Sequence, residues 1–335
     1  MHAWGKYSKF RALVLGLSCF AMCTTFTLSV LAIGVSVVAS IDTPWHLGGG
    51  ATVSPDGHSI VYVSADGLHL HDVIANKDRV LVPDIVSSGS VFENPQFTPD
   101  GSHVLFSVSG GTWHYPSDIY SIRLDGTGAS KLTEPVPASA ANPESAAYKQ
   151  YFYSAMISPK SSDILLWVYD ASGEKSYVGI MKNRTVDRTH NFLEKIELLA
   201  EGEPIAWSDD GSAFYYVNGD KVTTCDVATR QKKAWTTSEK VLGIAGPRTL
   251  AMDDGKNVHF VDLRSGDNLP PSQLLPRMVA SPQGNLTVSN VQWIPTGLTL
   301  IVYRGPRTER IELVNIGDDL DWSEKSDANG WVPKN

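Results

Sequence analysis

The feature that most constrains this chain is a short turn written four times in nearly the same residues: Ser54-Pro55-Asp56-Gly57, Thr98-Pro99-Asp100-Gly101, Ser208-Asp209-Asp210-Gly211 and the looser Ser281-Pro282-Gln283-Gly284. Each lies beside apolar residues alternating at strand period. Proline presets φ for the corner, aspartate bonds backbone further on, and glycine accepts the positive φ that reverses the chain. A unit of four short strands cannot bury both of its faces, so several must stack or close on themselves before any is stable.

The second unit shows the pattern most fully: Pro95-Gln96-Phe97, the turn, then Val104–Ser107, Asp118–Leu124, Asp125-Gly126 and Lys131–Thr133. The preceding turn stands 44 residues earlier. Further strands of β-branched and aromatic residues follow at Ile164–Tyr169, Phe214–Val217, Lys221–Val227, Val258–Leu263 and Leu298–Tyr303. Turn positions near 55, 99, 159, 209, 247 and 295 predict six blades, hence an all-β, six-bladed β-propeller over residues 40–316. An acidic tail with Trp322 and Trp331 occupies 317–335.

Ahead of the repeats, Ala12 to Ala39 carries no charged residue and follows Lys6, Lys9 and Arg11. As a helix these 28 residues would span about 42 Å, more than the ~30 Å hydrocarbon core, which predicts a transmembrane helix over 12–39 after a cytoplasmic segment 1–11. A cleaved secretory signal with a site at Val37-Val38-Ala39 is the other reading; the length of the apolar run favours an anchor. The preceding cations place the N-terminus in the cytoplasm and the repeats on the extracytoplasmic side. Within the segment, Ala21, Thr25 and Ser29 recur every fourth residue, a packing face for another membrane helix. Removing the three N-terminal cations leaves 25 basic against 36 acidic residues, a net charge of −11, which argues against nucleic acid as a partner.

The turns and the Asp118-Ile119-Tyr120 strand ending at Asp125-Gly126 resemble the TolB-type β-propeller family over roughly residues 45–316. The resemblance implies an extracytoplasmic binding platform, or the propeller that caps a prolyl-oligopeptidase-like enzyme. The chain departs from both forms, because only Ile41 to Val53 separates the apolar segment from the first turn and no peptidase domain is legible.

Catalytic signatures are missing: no Gly-x-Ser-x-Gly, His-Glu-x-x-His or phosphate-binding glycine loop occurs. His69-x-His71-Asp72 puts two imidazoles on one strand face but supplies no third ligand, and Asp253–Asn257 reads as a hairpin turn rather than a calcium loop. No cofactor is expected. Two long loops carry aromatic residues suited to anchoring a partner: Trp113, His114 and Tyr115 in the first, Tyr151 and Tyr153 at the end of the second. The expectation is a non-enzymatic structural or interaction subunit, touching membrane proteins and the bilayer through its helix and other proteins through its propeller. A ligand sensor or hydrolase-like enzyme with its site at the channel mouth is the alternative.

Overall fold

A computed structural model describes residues 36–44, 49–83, 90–110, 117–133, 136–137, 148–170, 173–182, 196–246, 248–269, 286–294 and 296–315. All secondary structure among them is strand. After β1 (Ser36–Pro44), sheet I is a meander of β2 (Ala51–Val53), β3 (Ser59–Ser64), β4 (Gly67–Asp72) and β5 (Lys77–Pro83). Sheet II comprises β6 (Ser90–Phe97), β7 (His103–Gly110), β8 (Ser117–Arg123) and β9 (Ser130–Lys131). Sheet III adds the short β10 (Val136–Pro137) to β11 (Tyr148–Ile157), β12 (Ile164–Asp170), β13 (Lys175–Met181) and β14 (Glu197–Glu201). Sheet IV contains β15 (Glu203–Trp207), β16 (Ala213–Asn218), β17 (Lys221–Asp226) and β18 (Lys232–Thr236).

Sheet V joins two antiparallel groups. One is β19 (Lys240–Gly246), β20 (Thr249–Asp253) and β21 (Val258–Asp262); the other is β22 (Thr287–Trp293), β23 (Leu298–Arg304) and β24 (Thr308–Asn315), with β1 at its outer edge. Their seam is a parallel pairing of β19 with β22 at Gly243–Val291 and Ile244–Gln292. Only glycine fits there, since a Cβ on Gly243 would collide with the Val291 carbonyl.

Period-two alternation sends successive side chains to opposite neighbours. Val104 and Phe106 pack toward sheet I with Val61 and Leu68, whereas Leu105 between them packs toward sheet III with Phe152 and Leu166. Leu165, Val178 and Ile180 meet Phe214 and Tyr216 of sheet IV, and Tyr215 and Val222 meet Leu250 and Met252 of sheet V. Ile60 and Val53 meet Leu300, Ile311 and Leu313, which returns the circuit of contacts to sheet I. A fully buried leucine such as Leu165 contributes about 1.5–3 kcal/mol, and truncating it to alanine costs about 2–5 kcal/mol because the site cannot collapse completely.

The predicted turns form as their residues dictate. Gly57, Gly101 and Gly211 have φ of 76°, 68° and 65°. At the third turn the Ser208 hydroxyl donates to Asp210 Oδ1 at 2.7 Å, the Ser212 N–H donates to the same carboxylate at 3.0 Å, and the Gly211 N–H donates to the Ser208 carbonyl at 2.8 Å. Thr98 with Asp100 and Ser54 with Asp56 repeat the arrangement. Gly101 lies against Pro55 and Gly211 against Ser158, so these turns line one edge of the sheets. Ser281–Gly284 lies outside the described residues; the matching turn of the last group is Ile294–Gly297, with Gly297 at φ 86°.

The N-terminal boundary read from sequence needs correction. Residues 36–39, expected to end the apolar helix, are strand, part of Ser36–Pro44, which joins the last group. The open edge of β24 takes up this segment: Ile41 is buried among Ile311 and Leu313, and Arg310 forks onto Asp42 at 2.8 and 3.3 Å. Ser36 pairs with Asn315, and Asn315 also pairs with Leu298, so the described chain begins and ends at the turn edge. No helix among the described residues is long and apolar enough to cross a membrane, and 1–35, including Ala21, Thr25 and Ser29, lie outside them.

Candidate functional site

The edge opposite the turns is irregular, and its irregularities concentrate aromatic rings. Tyr151 pairs with Tyr169, Tyr169 with Ser176, and Trp167 with Val178, which packs toward sheet IV. Directly paired residues share a sheet face, so Tyr151, Trp167, Tyr169 and Ser176 all lie on the side of sheet III that faces sheet IV. A β-bulge between Phe152 and Ser154 then lets Tyr153 reach the same group. Its ring stands 5.2 Å from Trp167 and 6.1 Å edge-on to Tyr169, which stacks on Tyr151 at 6.1 Å. Such contacts contribute about 0.5–1.5 kcal/mol each beyond burial. Tyr153, Trp167 and Tyr169 nevertheless remain half-buried.

Sheet II supports the cluster. Asn94, in a left-handed conformation at φ 50°, donates from Nδ2 to the Tyr153 carbonyl at 2.9 Å. The neighbouring Glu93 carboxyl is pushed above its ordinary range by burial. The Tyr153 hydroxyl is likewise raised, first by burial and then by the charge of Glu93.

A cleft of about 340 Å³ opens beside the rings between sheets III and IV, lined by Glu174, Lys175, Ser176, Glu201, Gly202, Glu203, Val217, Asn218 and Gly219. The two features share Ser176, whose hydroxyl accepts the Trp167 indole N–H at 3.0 Å. The cleft floor is fixed: Gly202 is buried at φ +134°, donates its N–H to the Ser176 carbonyl at 2.8 Å, and has no room for a Cβ beneath the Val217 carbonyl. Lys175 holds Glu201 at 3.0 Å. Rings, amides and carboxylates of this kind suit recognition, and no nucleophile paired with a base stands among these residues.

Tyr151 and Tyr153, singled out from sequence, thus meet in one cluster, joined by Trp167 and Tyr169, which were read only as strand. Their spacing within Ile164–Tyr169 carried the missing signal, because positions two apart share a face. Trp113, His114, Tyr115, Trp322 and Trp331 lie outside the described residues. His69 and His71 do share a face, but both turn to Asp78, at 3.1 and 3.5 Å, and His69 also meets Asp66 at 2.7 Å. Asp72 instead caps a turn by accepting the Ala75 N–H, and no group of three His, Cys, Asp or Glu able to hold a metal occurs among the described residues.

No family model and no curated protein matches the chain. Among solved structures it is similar to the calcium-binding protein regucalcin of Agrobacterium tumefaciens, at 14% identity and a TM-score of 0.50 over 84% of this chain and 95% of that one. A luciferin-regenerating enzyme gives 10% identity and a TM-score of 0.50 over 82% and 95%. TolB of Acinetobacter baumannii gives 14% and 0.44, covering 79% of this chain; the chain spans only 63% of that protein's length. At these identities the likeness is one of fold, and the fold is that of the β-propeller proteins.

Proposed function

We propose that this chain is a membrane-anchored, non-enzymatic six-bladed propeller whose aromatic edge binds a protein partner within a larger membrane assembly on the extracytoplasmic side. The observation that carries the reading is the half-buried Tyr153–Trp167–Tyr169 cluster, located on the edge remote from where the chain enters β1 and leaves β24. Rigid aromatic rings are favoured interface anchors because they supply contact area at little entropic cost. The contact circuit supports six blades, counting the two halves of sheet V separately. The uncharged stretch after Lys6, Lys9 and Arg11 supports the anchor and its orientation.

Extraction of native membranes in mild detergent, isolation of this chain and mass spectrometry of what remains bound in stoichiometric amount test the proposal. A defined set of membrane proteins, lost on Tyr153→Ala with Tyr169→Ala, is the expected result. A chain that purifies alone from membranes refutes it.

A further inference from the structure

We propose that Asn218 is a self-modifying position, where the chain's own backbone converts the side-chain amide to a carboxylate at the mouth of the cleft between sheets III and IV. This goes beyond the interaction reading and does not rest on it. Asn218 and Gly219 both line the cleft and are exposed, at the tip of the hairpin between β16 and β17. Asn218 pairs with Lys221, so only Gly219 and Asp220 form the loop. The Val227 N–H donates to the Ser212 carbonyl, and the register then runs unbroken to the tip, so alternation makes Asn218 and Lys221 a hydrogen-bonded pair. The Gly219 N–H lies outside that ladder and donates to no described residue, and the Asn218 side-chain amide likewise has no partner among them.

These are the groups the reaction joins. The Gly219 nitrogen passes its proton to solvent and attacks Asn218 Cγ; a C–N bond forms, the Cγ–Nδ2 bond breaks, and Nδ2 takes up a proton and leaves as ammonia. Water then opens the cyclic imide, at Cγ to give an aspartyl residue or at the backbone carbonyl to give an isoaspartyl one, with no change in oxidation state. The fold keeps this path open. Nothing stands within 4 Å of where a Cβ on Gly219 would be, so the nucleophile is unscreened. Gly202 also lacks a side chain where a Cβ would come within 3.1 Å of the Asn218 Cβ, which leaves the amide room to turn. Lys221, directly opposite Asn218 and without an ion pair among the described residues, shares its sheet face and offers positive charge to the anion that develops. Other described asparagines lack this combination: Pro95 after Asn94 has no N–H, and the β-branched Val258 and Val291 shield the nitrogens after Asn257 and Asn290. The product adds a carboxylate to a cleft that already holds Glu201 and Glu203, and its isoaspartyl form lengthens the backbone by a methylene, so the cleft mouth changes charge and shape with age.

The test incubates the purified full chain at mildly alkaline pH and follows tryptic peptide 196–221, or 196–230 once Lys221 is replaced, in each of which Asn218 is the sole asparagine. Mass spectrometry reads the exchange of amide for acid, and isoaspartyl-specific methylation reads the rearranged product. The free synthetic peptide 196–221 and the Asn329-Gly330 pair of the same chain serve as references. Asn218 in the folded chain is expected to convert within about tenfold of its rate in the free peptide, a barrier raised by no more than ~1.4 kcal/mol. Lys221→Met should slow the folded chain by about two- to fivefold, the scale of one exposed charge interaction. An Asn218 that stays intact while Asn329 converts, or that converts more than about tenfold slower than the free peptide, would overturn the inference. A Lys221→Met chain that converts as fast as the parent would overturn the part assigned to Lys221.

Discussion

The two edges of this molecule are built on opposite principles. Along the turn edge the same few hydrogen bonds recur at Ser54, Thr98 and Ser208, and each side chain is satisfied within five residues of itself. Along the aromatic edge nothing repeats: Asn94 bonds across 59 residues to Tyr153, a bulge displaces Tyr153, and Glu203 stands without a partner among the described residues. Carboxylates record the contrast. Asp210 is held down to about 2 by the Ser212 N–H and the Ser208 and Ser212 hydroxyls, while burial raises Glu93. Regular repetition marks the scaffold, and departure from the repeat marks the surface free to acquire a binding role.

The largest expected effect falls on the scaffold. Deleting residues 36–44 strips β1 from β24, exposes the side chains around Ile311, and removes the Asp42–Arg310 pair. The loss should reach about 5 kcal/mol or more, the scale of a whole domain's stability, and be read as disappearance of a cooperative thermal transition. A melt like that of the unmodified chain would show that closure does not depend on β1.

Glycine substitutions sharpen the contrast at intermediate size. Gly202→Ala must displace the Val217 carbonyl, and should cost about 2–4 kcal/mol and distort the cleft. Gly101→Val meets Pro55 at no more than ordinary contact distance from its Cβ and suffers mainly its φ of 68°, so about 1–2 kcal/mol is expected. Chemical denaturation of both variants checks the order, and the reverse order would mean that the cleft floor is soft.

Asp209 is the flaw in the regular edge. It occupies the position held by Pro55 and Pro99, and its carboxyl is raised by burial and by neighbouring Asp210. Asp209→Pro should therefore stabilise by about 0.4–1 kcal/mol through a stiffer unfolded chain. A lower denaturation midpoint would show that this turn differs from its counterparts.

The smallest effect is a pair of opposite pH dependences. Asp210, depressed from 3.8 to about 2, contributes stability present above pH 3.8 that is lost as pH falls toward 2, so Asp210→Ala should flatten that acid limb. Glu93, raised from 4.5, contributes stability present below pH 4.5 that is lost as pH rises through its elevated value. Glu93→Gln should thus be more stable than the parent at neutral pH and equal to it in acid. Melting curves from pH 2 to 8 separate the two, and parallel curves would remove the electrostatic contrast between the edges.

What the sequence disclosed follows the same division. The turns were legible because serine, aspartate and glycine act on backbone within a few residues, and most strands because β-branched and aromatic residues alternate. β1 was not, since its partner Arg310 lies 268 residues from Asp42 and an apolar run gives no hint of that pairing. β14 reads Glu-Leu-Leu-Ala-Glu, a helix-prone string made strand by pairing with β13. Tyr151 and Tyr153 drew notice as aromatic residues in a loop, but their union with Trp167 depends on a bulge, and the cleft depends on two hairpins meeting the link between β14 and β15.

Hydrogen exchange of the chain in its native membrane assembly against the same chain purified alone tests the central claim most directly. Selective protection in the assembly at 148–153, 167–176 and 201–203, with the turns at 54–59, 98–103 and 208–213 unchanged, is the predicted result. Protection confined to the turns, or identical exchange in both states, would contradict it.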